Sequence, residues 1–245
     1  MRLDNMPRTC QVMGIVNVTP DSFSDGGQYF RPEEAIRRAK NVVADGATIV
    51  DLGGESTRPG ATPLDWESEW QRLEPVIAGL AGLKAVLSVD TYHPETAAKA
   101  VAAGVKIVNC VYAEPVPAMM EILKSTPGTE LVLPTSAFKA LPNAERTAFA
   151  DRLYIDPMIG FGTTREEDLE LLKSVKELTK LGRVLVGASR KRIVKKLTGI
   201  NATGKLTGGN VAIALWSALQ GASIVRVHEV FDTVQALKVL ESLSA

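Results

Sequence analysis

The stretch Met13-Gly14-Ile15-Val16-Asn17-Val18-Thr19-Pro20-Asp21-Ser22-Phe23-Ser24-Asp25-Gly26-Gly27 decides the fold, because in it an apolar run stops at a polar, turn-forming loop. Val12 to Val16 has the continuous apolar character of a buried strand, and Pro20, Asp21 and the glycine pair predict the loop that follows. Pro32 then opens a helix whose apolar positions Ala35, Ile36, Ala39, Val42 and Val43 keep helical spacing until Asp45-Gly46 stops it. Strand, loop and helix make one unit, and the unit recurs.

Working outward, Thr48 to Leu52 is a second strand, Gly53 to Pro63 a glycine-rich loop and Leu64 to Leu80 a helix. Ala85 to Val89 leads through Asp90-Thr91-Tyr92-His93 into a helix from Pro94 to Ala103, with proline where its missing N–H costs nothing. Lys106 to Asn109 and a helix over Val116 to Lys124 form the fourth unit. The fifth is undersized: strand Glu130 to Leu133 ends at Pro134, Thr135 to Leu141 reads as loop, and only Asn143 to Ala150 is left for a helix. Leu153 to Asp156, a glycine-rich loop and a helix over Arg165 to Leu181 make the sixth. Val184 to Gly187 is followed at once by Ser189-Arg190-Lys191-Arg192, a helix stopped by Thr198-Gly199, and a second helix from Gly209 to Leu219. Ser223 to Val227 and a helix over Glu229 to Leu243 close the chain.

Strands that alternate with helices at this spacing are parallel and joined by crossovers. Eight such units in 245 residues predict a single α/β domain over 1–245, a (β/α)8 TIM barrel with a truncated fifth βα unit. An open doubly wound sheet is the alternative, since periodicity does not distinguish closure.

Lys plus Arg and Asp plus Glu number 28 each, so composition predicts neither a nucleic-acid stripe nor an adhesive membrane face, and points to small-molecule partners. No apolar run approaches the roughly 18 residues that span a bilayer. The first residues lack the grammar of an export signal, and Cys10 and Cys110 are the only cysteines, so a cytoplasmic location is expected. Their spacing suggests neither a disulfide framework nor a metal clip, and with His93 and His228 as the only histidines a histidine-based zinc site is not expected.

In a barrel every strand delivers its carboxyl end to one mouth. Those ends carry Asn17, Gly53 to Arg58, Asp90, Asn109, Pro134 and Ser136, Asp156, Ser189 and Lys191, and Arg226 with His228. Asn17, Arg58, Arg226 and His228 are donors suited to phosphate. Asp90, Asn109, Asp156 and Lys191 suit the edge of a flat heterocycle, the carboxylates accepting from ring N–H groups and the lysine donating to a carbonyl. Singly, each has a plainer reading: Asp90 caps a helix, Asp156-Pro157 makes an Asx turn, Arg58-Pro59-Gly60 is a surface turn, and Ser189 to Arg192 is a solvated helix start. Their repetition at the same end of successive strands favours a site.

These motifs, namely Asn17 to Gly27, Gly53-Gly54-Glu55-Ser56-Thr57-Arg58-Pro59-Gly60, Ser88-Val89-Asp90-Thr91, Asp156 to Gly162, Ser189-Arg190-Lys191 and Arg226-Val227-His228, resemble those of the dihydropteroate synthase family over nearly the whole chain. The resemblance implies condensation of a dihydropterin methyl pyrophosphate with p-aminobenzoate, releasing pyrophosphate with help from Mg2+. It implies that Asp90, Asn109, Asp156, Phe161 and Lys191 hold the pterin, with Arg226 against its face. By the same resemblance Thr57, Arg58, Arg226 and His228 hold the leaving group, Asn17 meets metal and pyrophosphate, and Phe23, Pro59 and Ser189 border the aminobenzoate pocket. It also implies pairing into a homodimer through the last helices, where Val211, Ala214, Leu215 and Ala218 offer an apolar face that core packing explains equally well. The glycines at 26–27 and 53–54 suit loops that close over ligands.

Four features depart from the family pattern. Cys110 stands in place of an aspartate, Arg192 in place of a serine, the fifth strand lacks a Met-His pair, and the segment after it is short. A pterin-binding paralogue with another acceptor, a methyltransferase acting on a reduced pterin, and a non-catalytic pterin-binding protein are the alternatives.

Overall fold

In a computed structural model, which describes residues 10–19, 31–55 and 62–244, the strands pair in chain order, each parallel to the next, and the eighth returns to the first. The barrel is closed, and the open-sheet alternative falls away. The strands are β1 (Gln11–Asn17), β2 (Ile49–Gly53), β3 (Val86–Asp90), β4 (Ile107–Asn109), β5 (Glu130–Pro134), β6 (Leu153–Asp156), β7 (Arg183–Val186) and β8 (Ile224–Val227). Between them run α1 (Pro32–Ala44), α2 (Trp66–Gly79), α3 (Pro94–Ala102), α4 (Val116–Ser125), α5 (Thr135–Ala140), α6 (Asn143–Ala148), α7 (Arg165–Leu178), α8 (Arg192–Thr198), α9 (Thr207–Leu219) and α10 (Val230–Ser244).

Local chemistry explains the boundaries. Helix α2 starts at Trp66 rather than Leu64 because the Asp65 carboxylate accepts from Ser68 N at 2.7 Å and so satisfies an otherwise orphaned donor. A capping box between Thr164 and Glu167 opens α7. The segment expected to be loop, Thr135 to Leu141, is instead the helix α5: Ala137 and Phe138 turn inward and are buried, and Pro142 forbids continuation. Two short helices thus replace one, and β5 still pairs with β4 and β6.

Two apolar layers result. The larger lies between strands and helices, and helix α1 approaches β1 so closely that a Cβ on Gly14 would stand 2.0 Å from Val42 Cγ1. The smaller fills the barrel: Met13, Ile49, Ile107, Val132, Tyr154, Leu185 and Ile224, from every strand but β3. Since side chains alternate along a strand, the residues two further on face the same interior but nearer the mouth. That parity places the site.

Candidate active site

Two steps beyond the apolar plug come Asp51 on β2, Asn109 on β4, Asp156 on β6 and Arg226 on β8, while Ser88 of β3 lies in register with Asp51. Asp51 is fully buried and central. It accepts from Arg226 Nε at 2.6 Å, Ser88 Oγ at 2.5 Å and Asn109 Nδ2 at 3.3 Å. Arg226 Nη2 donates to Asp90 Oδ2, also at 2.6 Å. One arginine thus bridges two carboxylates from neighbouring strands, in the charge-assisted geometry that makes short bonds.

With Thr57 and Arg58, its expected companions on an anion flank, outside the described residues, Arg226 is seen joined to the carboxylates of Asp51 and Asp90. The reason is electrostatic: two buried carboxylates need a counter-ion, and a guanidinium edge supplies it. Two plainer readings of the sequence are settled likewise. Helix α3 is preceded by His93 with no side-chain cap, so Asp90 does not serve as one. Asp156 does make an Asx turn, accepting from Met158 N at 2.7 Å, yet it is buried within the site as well.

Burial shifts the titrating groups. It pushes the Asp90 carboxyl from 3.8 up to about 7, with Arg226 pulling the other way and Asp51 reinforcing the rise. Burial also raises Asp156, opposed by Lys191. The Lys191 ammonium is brought down to about 8 by burial, against the attraction of Asp156. Its Nζ donates to Ile159 O at 2.6 Å and sits 4.2 Å from the Phe161 ring centroid. Asp90, Asp156, Lys191, Arg226, Asn109 and Phe161 are thereby gathered at one end of the barrel.

On the adjoining sector Ser189 Oγ lies 3.0 Å from His228 Nδ1 and donates to Glu229 Oε2 at 2.9 Å. Glu229 also accepts from Arg190 Nε at 2.7 Å. Asn17 ends β1 in register with Gly53; a Cβ on that glycine would stand 4.0 Å from Asn17 Oδ1 and 3.8 Å from Asp90 Cβ, so Gly53 lies between the two. Arg192 is exposed, with Nη2 bonded to Thr163 O. The Cys110 thiol is buried and donates to Tyr112 O at 3.3 Å, and burial pushes its pKa up to about 11. Phe23, Thr57, Arg58 and Pro59, and most of the two glycine-rich loops, lie outside the described residues.

Sequence reasoning gave no role to Asp51, to Ser88, which it named only within a motif, or to a supporting carboxylate, Glu69. The last is buried on α2, accepts from Thr91 Oγ1 at 2.6 Å and lies under Gly54, where a Cβ would stand 2.8 Å from Glu69 Cγ. A signal for Asp51 was present: a charged residue inside Ile49-Val50-Asp51-Leu52, two before Gly53.

Comparisons with known proteins identify the family. A family model described as pterin binding enzyme matches residues 13–147 and 138–228. Dihydropteroate synthase of Escherichia coli K12 is 35% identical over 94% of this chain and 90% of its own length, and that of Streptococcus pyogenes serotype M6 is 36% identical over 95% of each. Among solved structures, the Xanthomonas albilineans dihydropteroate synthase with 4-aminobenzoic acid aligns at a TM-score of 0.87 and 38% identity, covering 100% of this chain and 96% of that one. The same organism's enzyme in complex with 7,8-dihydropteroate aligns at 0.81 and 33%, with the same coverage. By sequence and by fold, this chain belongs to the dihydropteroate synthase family of pterin-binding enzymes.

Proposed function

We propose that this chain condenses 6-hydroxymethyl-7,8-dihydropterin pyrophosphate with p-aminobenzoate to give dihydropteroate and pyrophosphate, a step of folate synthesis. The observation that carries the reading is the unfinished hydrogen bonding at the mouth. Asn109 Oδ1 is buried and has no partner among the described residues, and it stands where the carboxylates of Asp51, Asp90 and Asp156 face the two cations Arg226 and Lys191. A buried acceptor left open costs free energy until a donor arrives. A pterin edge, rich in N–H groups, supplies such donors to Asn109, Asp90 and Asp156, and its carbonyl accepts from Lys191.

Arg226 suits stacking on the ring: its edge is fixed by Asp51 and Asp90, which leaves the guanidinium face for an aromatic plane. As pyrophosphate departs, positive charge develops on the exocyclic methylene, so the chain has to hold the departing oxyanions and keep water away; a nucleophilic side chain is not needed. His228 and Asn17 serve the anion flank, with Thr57 and Arg58 assigned there by family resemblance. Ser189, with Phe23 and Pro59 by the same resemblance, borders the acceptor.

Magnesium fits this donor set. Among the described residues no cluster of three His, Cys, Asp or Glu forms a cage, while Asn17 offers one amide oxygen at the mouth. That suits a hard cation held mainly by the substrate's own phosphate oxygens, which it would help to leave. We also infer a homodimer through α9 and α10: Ala214 and Ala218 of the expected apolar face are buried in the core, and these helices instead expose Trp216, Phe231 and Val239. Phe231→Asp should yield monomers in light scattering if that face pairs two copies. Cys10 and Cys110 are free thiols, which suits a cytoplasmic location, and among the described residues no helix is long and apolar enough to cross a membrane.

The test is pyrophosphate release from the pterin substrate with and without p-aminobenzoate. Release that requires the acid supports the proposal. Release that ignores it points to another acceptor, and tight pterin binding without release points to a non-catalytic protein.

A further inference from the structure

We infer that Asp168, on α7 and behind the pocket wall, is the positioning residue for Lys191: it braces the loop that carries the two groups the lysine's ammonium touches. The inference rests on the placement of Lys191 in the pterin pocket proposed above.

The loop from Pro157 to Thr164 turns through the left-handed region three times, at Met158 (φ 64°), Gly160 (φ 79°) and Gly162 (φ 72°). Met158 is a side-chain-bearing residue, for which that conformation is unfavourable and persists only where surroundings enforce it. Two carboxylates do so. Asp156 Oδ1 takes Met158 N at 2.7 Å, and Asp168 Oδ1 takes both Gly160 N at 2.7 Å and the Thr163 hydroxyl. Between these pins, Ile159 presents its carbonyl to Lys191 Nζ and Phe161 presents its ring. A Cβ on Gly160 would stand 2.9 Å from Lys191 Cδ, so the braced backbone lies directly against the lysine stem.

Asp168 is wholly buried, and its Oδ2 has no hydrogen-bond partner among the described residues. Helix geometry does not demand a carboxylate there, because Thr164 and Glu167 already cap α7. A buried carboxylate with one idle oxygen is costly unless a neighbouring charge offsets it, and Lys191 is a cation within its field. The charged groups facing that ammonium are Asp156 from β6, Arg226 from β8, Asp90 from β3 and Asp168 from α7. Burial draws Lys191 down to about 8, and Asp168 is among the carboxylates that oppose it.

Asp168 thus acts in two separable ways, by geometry and by charge. Asp168→Asn keeps the size and one acceptor oxygen while deleting the charge; Asp168→Ala deletes both. The measurement is affinity for the dihydropterin pyrophosphate from about pH 6 to about pH 9, by fluorescence titration, with thermal melts to verify folding. At the acid end Asp168→Asn should bind within about twofold of the unaltered protein, but its affinity should fall at lower pH, because the lysine deprotonates sooner. Asp168→Ala should bind about tenfold more weakly throughout. A merely structural role would leave the alkaline limb of the asparagine variant unmoved. An unmoved limb in Asp168→Asn, or undiminished affinity in a folded Asp168→Ala, overturns the inference. Lys191→Ala, measured alongside, separates the two levels: if it binds as tightly as the unaltered protein, the placement of Lys191 in the pocket fails and this inference with it; if it binds weakly, only the Asp168 results decide.

Discussion

Two arginines reach into the barrel from opposite ends, and their surroundings differ in kind. At the strand origins Arg183 of β7 lies 4.0 Å from the Tyr154 ring centroid, bonds its hydroxyl and the Asp151 carbonyl, and meets Glu130 at 3.4 Å. Arg183 and Glu130 are 33% and 30% exposed, so water shares the charge. At the mouth Arg226 is 17% exposed and its partner Asp51 not at all. Water does little there, and the charges balance among themselves or through a ligand. The first arrangement is a stopper in which, among the described residues, no buried polar side-chain atom of Arg183, Tyr154 or Glu130 lacks a partner. The second keeps a carboxyl near 7, a lysine near 8 and an asparagine oxygen without a donor. A barrel of this kind is closed by satisfied polar groups at one end and made receptive by unsatisfied ones at the other.

The sharpest way to break that comparison is to remove each arginine. Arg226→Met should cost about 3–5 kcal/mol in urea unfolding, because it strands Asp51 and Asp90 without a counter-ion in a buried site. Next in size, Asp51→Asn should cost about 2–3 kcal/mol, since it weakens bonds from Arg226, Ser88 and Asn109 together. It should also lower the Asp90 midpoint, readable by carboxyl NMR, as one of the charges that raise it is gone.

A third test is pH dependence. Asp90 holds its proton more tightly when folded than at its ordinary value of 3.8, so its contribution to stability is full below that value and lost as pH rises through about 7. Unfolding free energy should therefore carry a downward component between about pH 4 and about pH 7 that Asp90→Asn abolishes. An identical slope in both proteins would remove Asp90 from the charge imbalance. Smallest of all, Arg183→Met should cost about 1 kcal/mol or less, the usual worth of a half-exposed pair. Losses of equal size at Arg183 and Arg226 would erase the distinction between the two ends.

Much of this was legible in the chain. Strand ends were readable because turn-forming residues interrupt apolar runs at Asn17, Gly53, Asp90 and Asp156, and among the described residues Asp90, Asp156, Lys191 and Arg226 do converge. Asp51 was easy to pass over for a physical reason: barrel strands are buried on both faces, so Val50 and Leu52 are as apolar as Ile49, and the alternation that would tell which way the lone carboxylate points is missing. Helix α5 was hidden because Pro134 and Pro142 confine it to too few residues for periodicity to show. Asp168 follows Glu166 and Glu167 in the first turn of α7, where acidic residues are expected on a solvated helix start, and nothing local marks it as buried.

The sequence by itself determined the number of strand–loop–helix units, the end of each strand from which side chains project, and the chemical types assembled there. Only the tertiary structure decided the pairings among them. Arg226 is 175 residues from Asp51 and 136 from Asp90, and its pairing with those carboxylates depends on closure bringing β8 round to β1 with Met13 opposite Arg226. Hydrogen bonds act over about 3 Å, and ion pairs lose their strength in water but keep it when buried, so partners are fixed by register and burial, which no local stretch of chain contains.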